Sequence, residues 1–335
     1  MKAGILTFWF ADNYGAVLQG LALLEACKKY VEDVRIIDYI PTEMVSLKFR
    51  LKKKLLPKKF EIKFEQFRKK HFPMLSVKEE CDVLLVGSDQ VWNFNINGYD
   101  RFWISPKMNY KKLCSYAASF GKNNFTEKDE QYLLEQKSEF EKYSFVTVRE
   151  KAGQEILEKI NVKSETVCDP TFLFYENPEF YEQLAQNSEY WKASGYLLVY
   201  SLETSAALDE KIRQMKEETG RKVIAIHPMN ARLQECDAFI NDASVYDFLA
   251  LIKNAEYILT NSFHGLAFSY IFRKKVYCVH HSALSSRQSE LINASGFVYE
   301  KQSENVYFVD TDQTSDVMSQ FVETSEEKLK TMLMI

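Results

Sequence analysis

An α/β chain built of two Rossmann-like halves is the fold class this sequence predicts, on three observations. Short apolar, β-branched or aromatic runs alternate with longer segments of helical periodicity along most of the chain. A polar stretch, 176–194, interrupts that alternation once, after which it resumes. At 335 residues the chain exceeds what one hydrophobic core usually organises, so two domains are expected.

In chain order the first half reads as strand 3–8, helix 15–29, strand 34–38, a basic segment and a helix through His71. Strands 82–86, 113–117 and 145–148 follow, separated by helical patterns such as 127–143 and 151–159. Strands joined through helices imply parallel pairing with crossover connections. The first sheet is expected to close near 166–168. The second half begins at Tyr196 with strand 196–201 and continues through 223–226, 257–259 and 276–279. Residues 314–335 read as a terminal helix. The expected division is a first domain at 1–185, a second at 195–310, and a final helix at 311–335 that packs back on the first domain.

The core material is sufficient, with 46% hydrophobic and 14% aromatic residues. No run of 18 uninterrupted apolar residues occurs and the start has no signal-type apolar stretch, so a soluble cytoplasmic protein is expected. The six cysteines are scattered without CxxC or Cys/His metal spacing and read as small buried hydrophobes. A net charge of −4 gives no general attraction to nucleic acid. One local exception is Lys48 to Lys59, with seven basic residues among apolar ones; it reads as a solvated helix face or as a peripheral contact with anionic lipid.

In open α/β sheets ligands collect beyond the carboxyl ends of strands, so the loops there are the candidate site. After the first strand, Asn13, Tyr14 and Gly15 open a helix without a GxGxxG fingerprint. After 82–86 comes Gly87-Ser88-Asp89-Gln90-Val91-Trp92-Asn93, a set of polar groups with one aromatic that suits a sugar or forms a capped turn. Arg149 follows the strand 145–148, where it grips an anion or pairs with Glu150. Asp169-Pro170-Thr171 reads as a turn in which Asp169 satisfies local backbone.

The most informative loop is Thr260-Asn261-Ser262-Phe263-His264-Gly265, between a buried strand and a helix whose apolar residues begin at Leu266. Asn261 or Ser262 is the expected cap, Gly265 permits close approach, and the amides of the first turn favour a phosphate or carboxylate. His264 at that helix start is the candidate acid, although a lone histidine is often a core residue. Arg287, beyond the strand 276–279, is close enough in sequence to reach the same place. His280 and His281 are adjacent but lack a third ligand at metal spacing, so no metal is expected.

Taken in order, Asn13-Tyr14-Gly15-Ala16 with Gln19, Gly87 to Asn93, Val148-Arg149-Glu150, Cys168-Asp169-Pro170-Thr171 and Thr260 to Gly265 resemble the polysaccharide pyruvyl transferase family. The resemblance spans about residues 2–296. It implies a GT-B-like fold of two facing Rossmann-like domains and phosphoenolpyruvate as co-substrate, without a further cofactor. The acceptor would be a glycan, free or lipid-linked, in exopolysaccharide, capsule or cell-wall synthesis, and the product a pyruvate ketal. His264 would be the acid. Arg149, Asn261, Ser262, Phe263 and Arg287 would hold the donor; Asn13, Tyr14, Gly15, Ser88, Asp89, Gln90 and Trp92 would face the acceptor. Many members carry Arg-Leu-His-Gly where this chain has Ser262-Phe263-His264-Gly265, so Arg287 is expected to replace a missing donor arginine. A glycosyltransferase using a nucleotide sugar and a non-catalytic glycan-binding scaffold are the alternatives; oligomeric state is left open.

Overall fold

A computed structural model describes residues 1–41, 57–121, 125–226, 233, 235–280 and 286–334. Two seven-stranded sheets form, each in its own unit. The first unit comprises Met1–Lys58, Gln66–Leu173 and Gln320–Ile335, and the second Lys59–Glu65 and Phe174–Ser319. Most of the basic segment Lys48 to Lys59 lies outside the described residues.

The first sheet contains β1 (Lys2–Leu6), β2 (Asp33–Asp38), β3 (Met74–Ser76), β4 (Glu80–Val86), β5 (Asn109–Ala118), β6 (Phe145–Val148) and β7 (Glu165–Thr166). Their order is β3-β2-β1-β4-β5-β6-β7, with every neighbouring pair parallel. That is the doubly wound arrangement, whose order reverses between β1 and β4. The central strands read as continuous apolar runs because both sheet faces are covered. The helix Tyr14–Lys28 is apolar on nearly every side, which fits its burial from Tyr14 to Leu24. Its one long polar side chain there, Gln19, donates to Thr7 Oγ1 at 2.9 Å and to the Ala16 carbonyl at 2.8 Å.

The second sheet contains β8 (Tyr196–Tyr200), β9 (Lys222–Ile226), β10 (Ala238–Ile240), β11 (Tyr257–Thr260), β12 (Lys275–Val279), β13 (Val298–Ser303) and β14 (Val306–Asp310). Its order, β10-β9-β8-β11-β12-β14-β13, repeats the first pattern through five parallel strands, with the reversal between β8 and β11. It then departs, since β14 runs antiparallel to both β12 and β13. This hairpin edge, β3 and β10 have no counterpart in the sequence reading. The expected helix 127–143 is two pieces, Glu127–Glu135 and Lys137–Phe140.

The final helix, Asp316–Leu333, has its later turns within the first unit. Ser325 Oγ accepts from the Cys168 amide at 2.9 Å, and Lys112 Nζ donates to the Met334 carbonyl at 2.6 Å. All six cysteines are free; five are buried and Cys236 is half-buried. Burial raises the thiol pKa of each, so they sit as protonated, weakly polar core groups. Among the described residues no helix is long and apolar enough to cross a membrane.

Candidate functional site

In the second unit the sheet reverses between β8 and β11, and the chain after each strand is fastened to the other. Asn261 Oδ1 accepts from the Leu202 amide at 2.6 Å, and its Nδ2 donates to the Glu203 carbonyl at 3.1 Å. Ser262 is the helix cap: its hydroxyl accepts from the Gly265 amide at 3.4 Å, and its own amide donates to Thr260 Oγ1 at 3.0 Å. The helix Phe263–Ile271 therefore starts at the carboxyl end of β11, with His264 in its first turn. Amides at that end have no intrahelical acceptor, which makes the place favourable for an anion.

Gly265 has a steric reason. A Cβ there would lie 2.2 Å from Thr260 Oγ1 and 3.0 Å from Tyr200 Cδ1, so only glycine lets the helix start this close to the sheet. His264 is 7% exposed, and its ring stands edge-on to Phe263 with centroids 5.2 Å apart. The helix Ser286–Ala294 supplies two more contacts. Gln288 Nε2 donates to the Asn261 carbonyl at 2.5 Å, and the Arg287 guanidinium lies 6.0 Å from the Phe263 ring centroid. The structure thus brings Asn261, Ser262, Phe263, His264 and Arg287 together around one helix start.

His280, just beyond β12, has a different role. Its Nε2 lies 3.1 Å from Cys278 Sγ, and burial lowers its pKa to about 4. Burial also raises the Cys278 thiol, so the two form a neutral hydrogen-bonded pair, not a thiolate and imidazolium.

In the first unit the reversal lies between β1 and β4. Thr7 Oγ1 donates to the Ser88 carbonyl at 3.0 Å, tying the two loops together. Asn13 caps its helix by accepting from the Ala16 amide at 3.1 Å, and Arg68 Nη1 holds the loop before it through the Ala11 carbonyl (3.2 Å) and Asp12 Oδ1 (2.9 Å). Asp89 has φ of 75° and bridges to Ala118, whose neighbour Ala117 has φ of 50°. Two non-glycine residues in the left-handed region so close together indicate a place where tertiary structure overrides backbone preference.

Arg149 is the hub of this region, with a side chain only 2% exposed. Its Nη1 is 2.8 Å from Asp169 Oδ2, its Nε 3.6 Å from Glu150 Oε2, and its Nη2 4.0 Å from Asp89 Oδ1. Burial works against the charged guanidinium, yet the three carboxylates outweigh it and its pKa is raised. Asp169 also accepts through Oδ1 from the Thr171 amide at 3.0 Å and hydroxyl at 2.8 Å, and Ser119 Oγ donates to Glu150 Oε1 at 2.6 Å. Arg149 therefore fastens the loops after β4, β6 and β7, and three carboxylates already face its charge. This differs from the expected open anion grip.

Trp92 requires a plain correction. It is 0% exposed, packs against Phe120 and Phe140, and donates through Nε1 to the Trp103 carbonyl at 3.0 Å. It is core and does not line a sugar site. Ser88 and Tyr14 are likewise buried, Ser88 with its hydroxyl accepting from the Asp89 amide at 2.6 Å. Gly15 is buried in the first turn of its helix, whereas Gln90 and Asn13 stay half-buried. The partly exposed aromatic groups on the carboxyl side of β1 are Trp9 and Phe10. Both lie beyond the strand end that the sequence reading gives, but that reading singled out the polar residues of the loop.

Two doubly wound units, each with polar and charged side chains at its point of reversal, define a GT-B-like α/β protein. The chain belongs to the polysaccharide pyruvyl transferase family, whose model matches residues 13–282. Among curated proteins no sequence matches significantly. Solved structures with a similar fold include MnaA of S. aureus in a co-structure with UDP, at 13% identity and a TM-score of 0.50, covering 99% of this chain and 90% of that one. Another is a putative UDP-N-acetylglucosamine 2-epimerase from Listeria monocytogenes, at 11% identity and a TM-score of 0.50, covering 98% and 90%. Identities this low establish likeness of fold alone.

Proposed function

We propose that this protein transfers the pyruvyl group of phosphoenolpyruvate to two hydroxyls of a glycan sugar, forming a pyruvate ketal and releasing phosphate. The observation that carries the reading is His264 in the first turn of a capped helix at the second sheet's point of reversal, with the Arg287 guanidinium 6.0 Å from the ring of the preceding Phe263. An imidazole there can deliver a proton while the helix start and a guanidinium hold an anion.

In the proposed reaction His264 protonates the methylene carbon of the donor, leaving cationic character on the adjacent carbon. A sugar hydroxyl adds to that carbon and passes its proton to the imidazole of His264, which has just given one up. The C–O bond to phosphate then breaks, and the second hydroxyl adds to close the ketal, its proton passing to the departing phosphate. Arg287 and the amides of Phe263 and His264 would bear the donor's phosphate and carboxylate charge. Arg149 would act mainly by holding the Asp89 and Asp169 loops. Synthesis of capsule, exopolysaccharide or cell-wall glycan, a lipid-linked acceptor and work at the cytoplasmic face of the membrane belong to the same proposal.

The test pairs ligand binding with turnover. Phosphoenolpyruvate at millimolar concentration should raise the Tm of the wild type, since a ligand at 100 times its Kd adds about 2.7 kcal/mol. His264→Ala should lower acceptor-dependent phosphate release about 10²- to 10⁴-fold with an unchanged Tm in the absence of ligand. Stabilisation by UDP and none by phosphoenolpyruvate would favour a nucleotide-sugar transferase instead.

A further inference from the structure

His264 and Arg287 belong to different helices, Phe263–Ile271 and Ser286–Ala294, so whatever joins the two helix starts decides where the acid and the cation stand relative to each other. One such join is Gln288. Its side chain is buried, and its Nε2 donates to the Asn261 carbonyl at 2.5 Å. Arg287 is its neighbour in the same first turn, so this bond fixes the backbone from which the guanidinium extends towards the Phe263 ring.

The acceptor of that bond is well placed to transmit position. The Asn261 carbonyl and the Ser262 amide form one planar peptide group, and its amide end donates to Thr260 Oγ1 at 3.0 Å. With Gln288 on the carbonyl and Thr260 on the amide, the peptide that enters the His264 helix is held at both ends, immediately before the Ser262 cap. The Asn261 side chain is bonded to Leu202 and Glu203, so the chain after β8 is tied to the same residue. Packing alone would be served by an apolar side chain of the same length as Gln288, whereas the amide directs its helix to one carbonyl.

We infer that Gln288 is a positioning residue for the anionic donor: through the Asn261 carbonyl it sets Arg287 where one bound anion meets both the guanidinium and the first-turn amides of Phe263 and His264. The inference rests on the reading of this turn as the donor site, and it requires no contact between Gln288 and the ligand.

The test is a double-mutant cycle on the full chain, read by phosphorus NMR titration of phosphoenolpyruvate, which follows binding into the millimolar range. Gln288→Met, of similar length but without a donor, should raise the Kd about three- to tenfold. Gln288→Asn keeps the donor but is shorter by a methylene; it should weaken binding similarly, and it carries the cycle if the Met variant does not fold. In an Arg287→Ala background either change should alter the Kd by less than about twofold, because the group being positioned is gone. A merely structural role would weaken binding by the same factor in both backgrounds. That additive result, or unchanged binding by the Gln288 variants with Arg287 in place, overturns the inference and leaves the donor reading standing. A wild type that does not bind phosphoenolpyruvate removes the donor reading and this inference together.

Discussion

At the scale of single residues, Gly265 and His280 show how packing sets chemistry. Gly265 sits where a methyl group would collide with Thr260 and Tyr200, and overpacking of this kind costs roughly 1 to 3 kcal/mol. Gly265→Ala should therefore lower the urea midpoint by that equivalent, and a variant as stable as the wild type would show that the helix start can move. His280 is a pH-dependent element of stability. Its folded-state pKa of about 4 is below the ordinary 6.5, so on acidification the unfolded chain takes up its proton first. The contribution of this neutral histidine is complete above about pH 6.5 and is lost as pH falls towards about 4. Denaturation midpoints at pH 7.5 and 4.5 should differ less for His280→Asn than for the wild type; equal differences would mean that other groups govern the acid limb. The position of His264 was legible from sequence because a serine cap, a glycine and apolar spacing mark a helix start locally. The burial of Trp92 was not, since an aromatic in a polar loop can turn either way and only its neighbours decide.

At the scale of elements, the helix Phe263–Ile271 depends on its cap. Ser262 accepts from the Gly265 amide, and loss of such a cap typically costs about 1 kcal/mol. Ser262→Ala should lower stability by about that amount and reduce the phosphoenolpyruvate-induced thermal shift, because the first turn would lose its anchoring. An unchanged ligand shift would mean that the donor does not use this turn. Asn261 was an equal candidate for the cap in the sequence, and its actual duty is to join two loops. Its partners Leu202 and Glu203 lie about sixty residues away, on the far side of a strand crossing. The inner parallel strands were readable because each is a short apolar run between helical patterns, whereas the three-residue edge strands β3 and β10 were too short to show one. The hairpin of β13 and β14 was less so: β13 is exposed along its whole length and carries no apolar run to announce it.

At the scale of the whole chain, the charge hub at Arg149 joins elements that are distant in sequence. Removing one partner from a buried ion pair costs about 3 to 5 kcal/mol, because the remaining charges stay buried without compensation. Arg149→Ala should lower stability by that order in a denaturant titration even with no ligand present. A variant with wild-type stability would return Arg149 to the role of an open anion grip. What the sequence by itself determined was the fold class, the position along the chain of the inner parallel strands and the loops where polar groups gather. These follow from local signals: hydrophobic period, caps and the rule that ligands sit beyond strand ends. What only the tertiary structure decided was which side chains at those loops face inwards. Arg149 was committed by carboxylates at positions 89 and 169, Trp92 by the rings of Phe120 and Phe140, and Trp9 was left partly exposed with its donor unmet. The physical reason is that burial and charge pairing depend on neighbours brought together by chain crossings, and no local pattern encodes those neighbours.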